Sequence, residues 1–167
     1  MSKELLLVRH ADARAAESGQ RDAERELSPR GYQDATRLGH YLYQQQQNVD
    51  FLLISTAQRA QRTAEIIAEQ MHYGPHKIQL LDKLYQASVR SMLEVINGQA
   101  DEFDCLMVVG HNPTLTYLAE YLTGEAVNSM EAGGLLVLGL TANSWAEVTQ
   151  QSAVVKAYVT PDQLRQR

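Results

Sequence analysis

The 167-residue chain holds a single cysteine, Cys105, so no internal disulfide can form. A fold without covalent cross-links suits a reducing compartment. Cys105 lies inside an apolar run, where a free thiol reads as a small, inert hydrophobe. Positive charge is not in excess, since 15 Lys and Arg stand against 20 Asp and Glu, a formal net charge of -5. That balance argues against a general nucleic-acid or anionic-membrane binder, which presents a basic face, but it leaves room for a local basic pocket. No apolar stretch approaches the roughly 18 residues that span a bilayer. The first residues lack the basic-then-apolar layout of a secretion signal. A soluble, cytoplasmic protein is the expectation. Internal repeats and long linkers are absent, and the one low-complexity patch, Gln44 to Gln47, reads as a solvated helix end. With 44% hydrophobic and 21% charged residues, the sequence fits one globular domain over residues 1–167.

What is present is an alternation. Short aliphatic runs at Leu5–Val8, Phe51–Ile54, Ile78–Leu81, Leu106–Val109, Leu135–Leu140 and Ala153–Val159 read as strands. The second and fourth are nearly continuous in apolar residues, as fully buried parallel strands are. Helices fall between them. Ser28-Pro29 supplies an N-cap hydroxyl and a proline at the first helical position, and Ala35, Leu38 and Leu42 follow at helical spacing. A second helix starts near Gln58, carries Ala60, Ala64, Ile67 and Met71 on one face, and stops at Gly74-Pro75. A third starts near Ser88 and ends at Asn97-Gly98; a fourth starts at Pro113 and ends at Gly124. This order predicts an α/β fold, a three-layer α/β/α sandwich on a mostly parallel sheet of about six strands. The last two strands lie close together and predict an antiparallel edge.

Three predicted strands end in polar residues of a related kind. The first ends in Arg9-His10, and the second in Ser55-Thr56 before a helix with Arg59 in its first turn. The fourth ends in Gly110-His111-Asn112-Pro113. If the strands are parallel, all three sets share the carboxyl edge of the sheet, where ligands bind in open α/β folds. Two helix N-termini would face the same place, and both favour an anion. Arg9, Arg59, His10 and His111 then form a donor set suited to a phosphoryl dianion. His10 is the candidate nucleophile, since a neutral imidazole can attack phosphorus and carry the phosphoryl group as a covalent intermediate. Neighbouring arginines disfavour its protonated form. An acceptor for the other ring nitrogen is required to fix the tautomer, and the sequence names none. His40, His72 and His76 read as surface residues. A metal site built from His10, Asp12 and His111 is disfavoured by Arg9 and Arg59, which would repel a cation; no metal or cofactor is expected.

Together these residues resemble the histidine phosphatase superfamily, with its phosphoglycerate mutase-like fold. The family's Arg-His-Gly opening stands here as Leu7-Val8-Arg9-His10-Ala11. Its second block stands as Ser55-Thr56-Ala57-Gln58-Arg59-Ala60-Gln61-Arg62-Thr63, and its Gly-His block as Val109-Gly110-His111-Asn112-Pro113. Leu27-Ser28-Pro29-Arg30-Gly31 matches the opening of its first helix. Each block is short, but the ordered set covers nearly the whole chain. Within the family the chain looks like the short SixA-type phosphohistidine phosphatases. It has no room for the lid insertions of the sugar-phosphate mutases. It opens Arg9-His10-Ala11-Asp12-Ala13, and Arg25 stands before Leu27-Ser28.

The resemblance implies that His10 is the phosphorylated nucleophile and that Arg9, Arg59 and His111 bind phosphate. Arg25 matches a further phosphate-binding arginine of that branch, with Arg21 as its nearby rival. It also implies a metal-independent phosphohydrolase acting on a phosphorylated histidine of a partner protein, of the histidine-phosphotransfer or phosphocarrier type. One departure stands out. Many superfamily members place an acid near the third strand's end, where alignment puts Gln86. Glutamine cannot protonate a leaving oxygen. Asp12 is the nearest alternative acid, but it reads more simply as a loop residue that caps backbone or pairs with an arginine. The missing acid fits an imidazole leaving group better than a sugar alkoxide. A phosphatase for small phosphomonoesters and a phospho-dependent binding module are the alternatives.

Overall fold

The computed structural model describes residues 2–74 and 77–167. Pro75 and His76, which the sequence reading placed at a helix stop and on the surface, lie outside the described residues. Six strands form one sheet: β1 (Glu4–Arg9), β2 (Phe51–Ser55), β3 (Ile78–Leu81), β4 (Cys105–Gly110), β5 (Leu135–Leu140) and β6 (Ala153–Val159). Their order is β3-β2-β4-β1-β5-β6. The ladders β1–β4, β2–β4 and β2–β3 are parallel. Strand β5 runs antiparallel to both β1 and β6, which makes the expected antiparallel edge.

Alternation along β1 builds two cores at once. Leu5 and Leu7 pack into one buried cluster and Leu6 and Val8 into the other, as side chains on successive pleats must. Helices α1 (Pro29–Gln44) and α2 (Gln58–Gln70) cover one face of the sheet through Leu38, Leu42, Ala60, Ala64 and Ile67. Helices α3 (Val89–Asn97) and α4 (Thr114–Thr123) cover the other through Met92, Ile96, Leu115, Leu118 and Leu122. The result is the three-layer sandwich with a mostly parallel sheet. Among the described residues, no helix is long and apolar enough to cross a membrane.

Local chemistry sets the helix starts. The Ser28 hydroxyl accepts from Gly31 N–H at 3.0 Å with Pro29 in the first turn. Ser88 and Ser91 cap each other reciprocally at the start of α3. A fifth helix, α5 (Pro161–Arg165), was not foreseen. Thr160 caps it, and Arg165 holds it to α1 through the buried carboxylate of Asp34 at 2.7 and 3.1 Å.

Candidate active site

The first parallel strand delivers two residues to the carboxyl edge and the backbone pins both. Arg9 N–H donates to Gly134 O at 3.1 Å, and His10 N–H donates to Gly110 O at 3.0 Å. Gly133 N–H donates back to the carbonyls of Arg9 and His10, from a φ of +82° that a side chain would strain. Next in the chain, Ala11 N–H donates to Thr63 Oγ1 at 3.0 Å, and that hydroxyl donates to Arg59 O at 2.7 Å. The end of β1 is thereby locked to the first turns of α2, which carry Arg59.

These constraints bring the expected residues together. Arg59 Nε lies 3.4 Å from His10 Nε2, and the rings of His10 and His111 are 5.2 Å apart between centroids. His10 Nδ1 lies 2.8 Å from the carbonyl oxygen of Ala11. That carbonyl is the acceptor the sequence did not reveal. It assigns the ring proton to Nδ1 and leaves a lone pair on Nε2, the atom facing Arg59. His111 Nε2 lies 2.7 Å from Ser55 Oγ, which also accepts from Ala57 N–H. The Ser55 proton is then free to go to His111 Nε2; in that assignment Nδ1 carries the ring proton.

Both histidines are held neutral. Burial, followed by the charges of Arg59, Arg9 and Arg25, brings His10 down to about 4. Burial is the larger cause, and the arginines, the cause legible in the sequence, are the lesser one. His111 falls to about 3, again first through burial and then through His10 and Arg59. Arg9 Nη1 donates to Met130 O at 2.8 Å, but Arg9 Nε is buried without a partner. His111 Nδ1 is the other buried side-chain atom left unpaired among the described residues. Buried polar groups are almost always hydrogen-bonded, so unpaired donors beside a nucleophile mark a place for an acceptor.

The N-cap residues of α2 and α4 make no side-chain cap bond, which leaves N–H groups open at both ends. At α4 one of them is taken, since Asn112 Oδ1 accepts from Thr116 N–H at 3.3 Å.

Arg25 reaches the rim of the site, while Arg21 does not. Arg25 Nη1 donates to Asp22 Oδ1 at 3.1 Å, and Arg21 is exposed and paired with Glu24. Asp12 has the loop role expected of it: its carboxylate accepts from the Ser28 hydroxyl at 2.6 Å. A Cβ on Gly31 would come within 2.1 Å of the Asp12 carbonyl, so this contact requires glycine. Gln86 is exposed, as are His40 and His72. Cys105 is buried, and burial pushes its thiol up to about 12.

Sequence reasoning missed Asp22 and Tyr85. Asp22 accepts from Arg59 twice, through its carbonyl at 2.8 Å and its carboxylate at 3.0 Å. Tyr85 donates to the same carboxylate at 2.6 Å, and its ring meets His111 edge-on at 5.7 Å. The hydrogen bond from Tyr85, with those from Arg25 and Arg59, holds the Asp22 carboxyl far below the usual carboxylate range. Asp22 is therefore an ionised acceptor at neutral pH and not a proton donor. Its only sequence signal is the three-residue spacing to Arg25, which says nothing of Arg59.

A site of two neutral histidines ringed by arginines at a parallel-sheet edge has relatives. Residues 5–89 match the model of the histidine phosphatase superfamily (branch 1), and the chain belongs to that family. The uncharacterised protein Rv1276c of Mycobacterium tuberculosis is 33% identical, over 92% of this chain and 99% of its own. Among solved structures, the protein assigned as phosphohistidine phosphatase SixA from Nakamurella multipartitia superposes with a TM-score of 0.82. It is 27% identical, with 96% of this chain and 97% of that one covered. The protein likewise assigned from Agrobacterium tumefaciens gives 0.82 and 26%, covering 96% and 99%. The chain is thus a SixA-type member of the superfamily, and these likenesses support phosphatase activity. Phosphatases of other kinds share the fold at lower identity.

Proposed function

We propose that the protein is a metal-independent phosphatase that removes the phosphoryl group from a histidine of a partner protein, through a covalent intermediate on His10. The observation that carries this reading is a His10 Nε2 lone pair, met in the free protein by Arg59 Nε–H at 3.4 Å, beside two unpaired donors. The Ala11 carbonyl sets the first, and Arg9 Nε and His111 Nδ1 are the second. A phosphoryl group supplies electrophilic phosphorus to the lone pair and acceptor oxygens to both donors.

The steps follow from this geometry. Arg59 Nε–H, which faces His10 Nε2 in the free protein, turns its donor to a phosphoryl oxygen as substrate enters. His10 Nε2 then attacks phosphorus, and the bond to the substrate nitrogen breaks with its electron pair leaving on that nitrogen. A phosphoimidazole protonated on its other ring nitrogen departs as neutral imidazole, so no enzyme acid is needed. Water then attacks the phosphorus of phospho-His10 and releases phosphate, and His10 recovers its lone pair. Arg9, Arg59 and His111 stabilise the oxygens as charge shifts in both steps.

Neither Asp22 nor Gln86 is suited to protonate a leaving alkoxide, which favours this substrate over phosphomonoesters. Asp22, the carboxylate that touches Arg59, is kept ionised, and Gln86 cannot serve. His10 and His111 are only half-buried, which lets an imidazole on a protein surface reach them. A panel of a phosphorylated histidine-phosphotransfer protein, sugar phosphates and nucleotides tests the reading. Preferred turnover of the phosphoprotein is expected. A strong preference for esters would replace it with the small-phosphomonoester reading, and binding without turnover with a phospho-dependent binding module.

A further inference from the structure

Arg59 is the most deeply buried cation of the site, with its side chain 7% exposed. A buried guanidinium without a counter-charge is unstable, and it either finds a partner or swings to water. The partner here comes from the 3-10 turn Asp22–Glu24, far from α2 in sequence. Asp22 takes hydrogen bonds from both terminal nitrogens of Arg59, which leaves Nε directed at His10. The same carboxylate accepts from Arg25 on one oxygen and from Tyr85 on the other. Three separate segments of chain therefore meet at one side chain.

We propose that Asp22 is a positioning residue that holds Arg59 against His10 in the free protein and, through Tyr85, ties this half of the site to His111. The proposal rests on the reading of the site as a phosphoryl pocket. Asp22 touches Arg59 on the edge away from Nε, so it orients the guanidinium without occupying the face that meets the nucleophile. It also balances charge. Arg9, Arg25 and Arg59 carry three positive charges, and Asp22 brings the sum to two, which a phosphoryl dianion neutralises. Tyr85 is the second half of the device. Its hydroxyl is fixed by Asp22 and its ring edge abuts His111, so loss of the carboxylate frees both.

The test compares wild type with Asp22→Ala and with the near-isosteric Asp22→Asn. Hydrogen exchange at Arg59 Nε–H is read by NMR, with the signal assigned by its loss in Arg59→Lys. Exchange is expected to quicken by about tenfold or more in both variants, since the group leaves its hydrogen-bonded seat. With phosphohistidine protein, kcat is expected to fall on the order of 10- to 100-fold, the cost of misplacing a group near the reacting atoms. Tyr85→Phe is expected to lose less, and to add little to Asp22→Ala, because the two act through one contact. Unchanged Arg59 exchange overturns the proposal. So does tighter inhibition by inorganic phosphate, which would make Asp22 a competitor for the arginines. If wild type neither binds phosphate nor turns over substrate, the phosphatase reading fails, while Arg59 exchange still decides the role of Asp22.

Discussion

Asp34–Arg165 and Arg59–Asp22 are ion pairs that each bury one partner, and they differ in what they leave free. Between α1 and α5, Asp34 is 2% exposed, and Arg165 and Arg37 both donate to its carboxylate. Neither Asp34 nor Arg165 has a buried side-chain atom left unpaired, so the pair serves to hold α5 on α1. At the sheet edge Arg59 is the buried partner and Asp22 the more exposed one. That pair aims an N–H at a nucleophile, and unpaired donors lie close by on Arg9 and His111. One pair is closed and the other leaves its neighbourhood open to an anion. A buried charge alone therefore says little about function, whereas unspent hydrogen-bonding capacity beside it says much.

Substitutions separate the two. The largest effect is expected from His10→Ala, which removes the attacking atom. Phosphate release is expected to fall by about 10,000-fold or more, and covalent labelling to vanish. Steady-state phosphate release measures this, and a variant that still turns over breaks the assignment of the open site. Arg59→Ala is expected to lower kcat on the order of 100- to 1,000-fold, the range for removing one charged donor from a developing oxyanion. Its thermal unfolding temperature should change little, since Asp22 is left near solvent. The closed pair should behave in the opposite way. Arg165→Ala strips Asp34 of its best partner and is expected to cost about 3 kcal/mol in denaturant unfolding. Labelling of His10 should survive it.

The smallest effect is on pH dependence. His10 and His111 are depressed to about 4 and about 3 in the fold, against 6.5 when free. Below 6.5 the unfolded chain takes up protons that the folded chain refuses. Stability is therefore whole above pH 6.5 and declines as pH falls toward 4. Denaturant titrations at pH 7 and pH 5 measure it, and His10→Asn should flatten the slope. An NMR midpoint for His10 near 6.5 would show that the ring is not desolvated and would weaken the contrast.

Much of this was legible in the sequence, and the reasons are physical. Aliphatic runs define β1, β2 and β4, and parallel pairing then places Arg9, His10, Ser55 and His111 at one edge whatever the details of packing. Ser28-Pro29 announced α1, and Thr160-Pro161 carries the same signal for α5. That helix is only five residues long and offers no periodic face to read, so it went unseen. Asp22 was invisible for a different reason. It stands between β1 and α1 on a 3-10 turn with no buried residue, and only tertiary closure carries it to Arg59. The His10 tautomer was likewise out of reach, because its acceptor is a backbone carbonyl. Residue types on regular elements could be placed, while contacts made by loops and main chain could not.

The central claim is that His10 Nε2 takes the phosphoryl group. It is tested by trapping the intermediate from phosphohistidine protein at alkaline pH and mapping the labelled nitrogen by phosphorus NMR and peptide mass spectrometry. The account predicts a single label on His10, at Nε2, absent from His10→Ala. A label on His111, or turnover in His10→Ala with no labelled histidine, would contradict it.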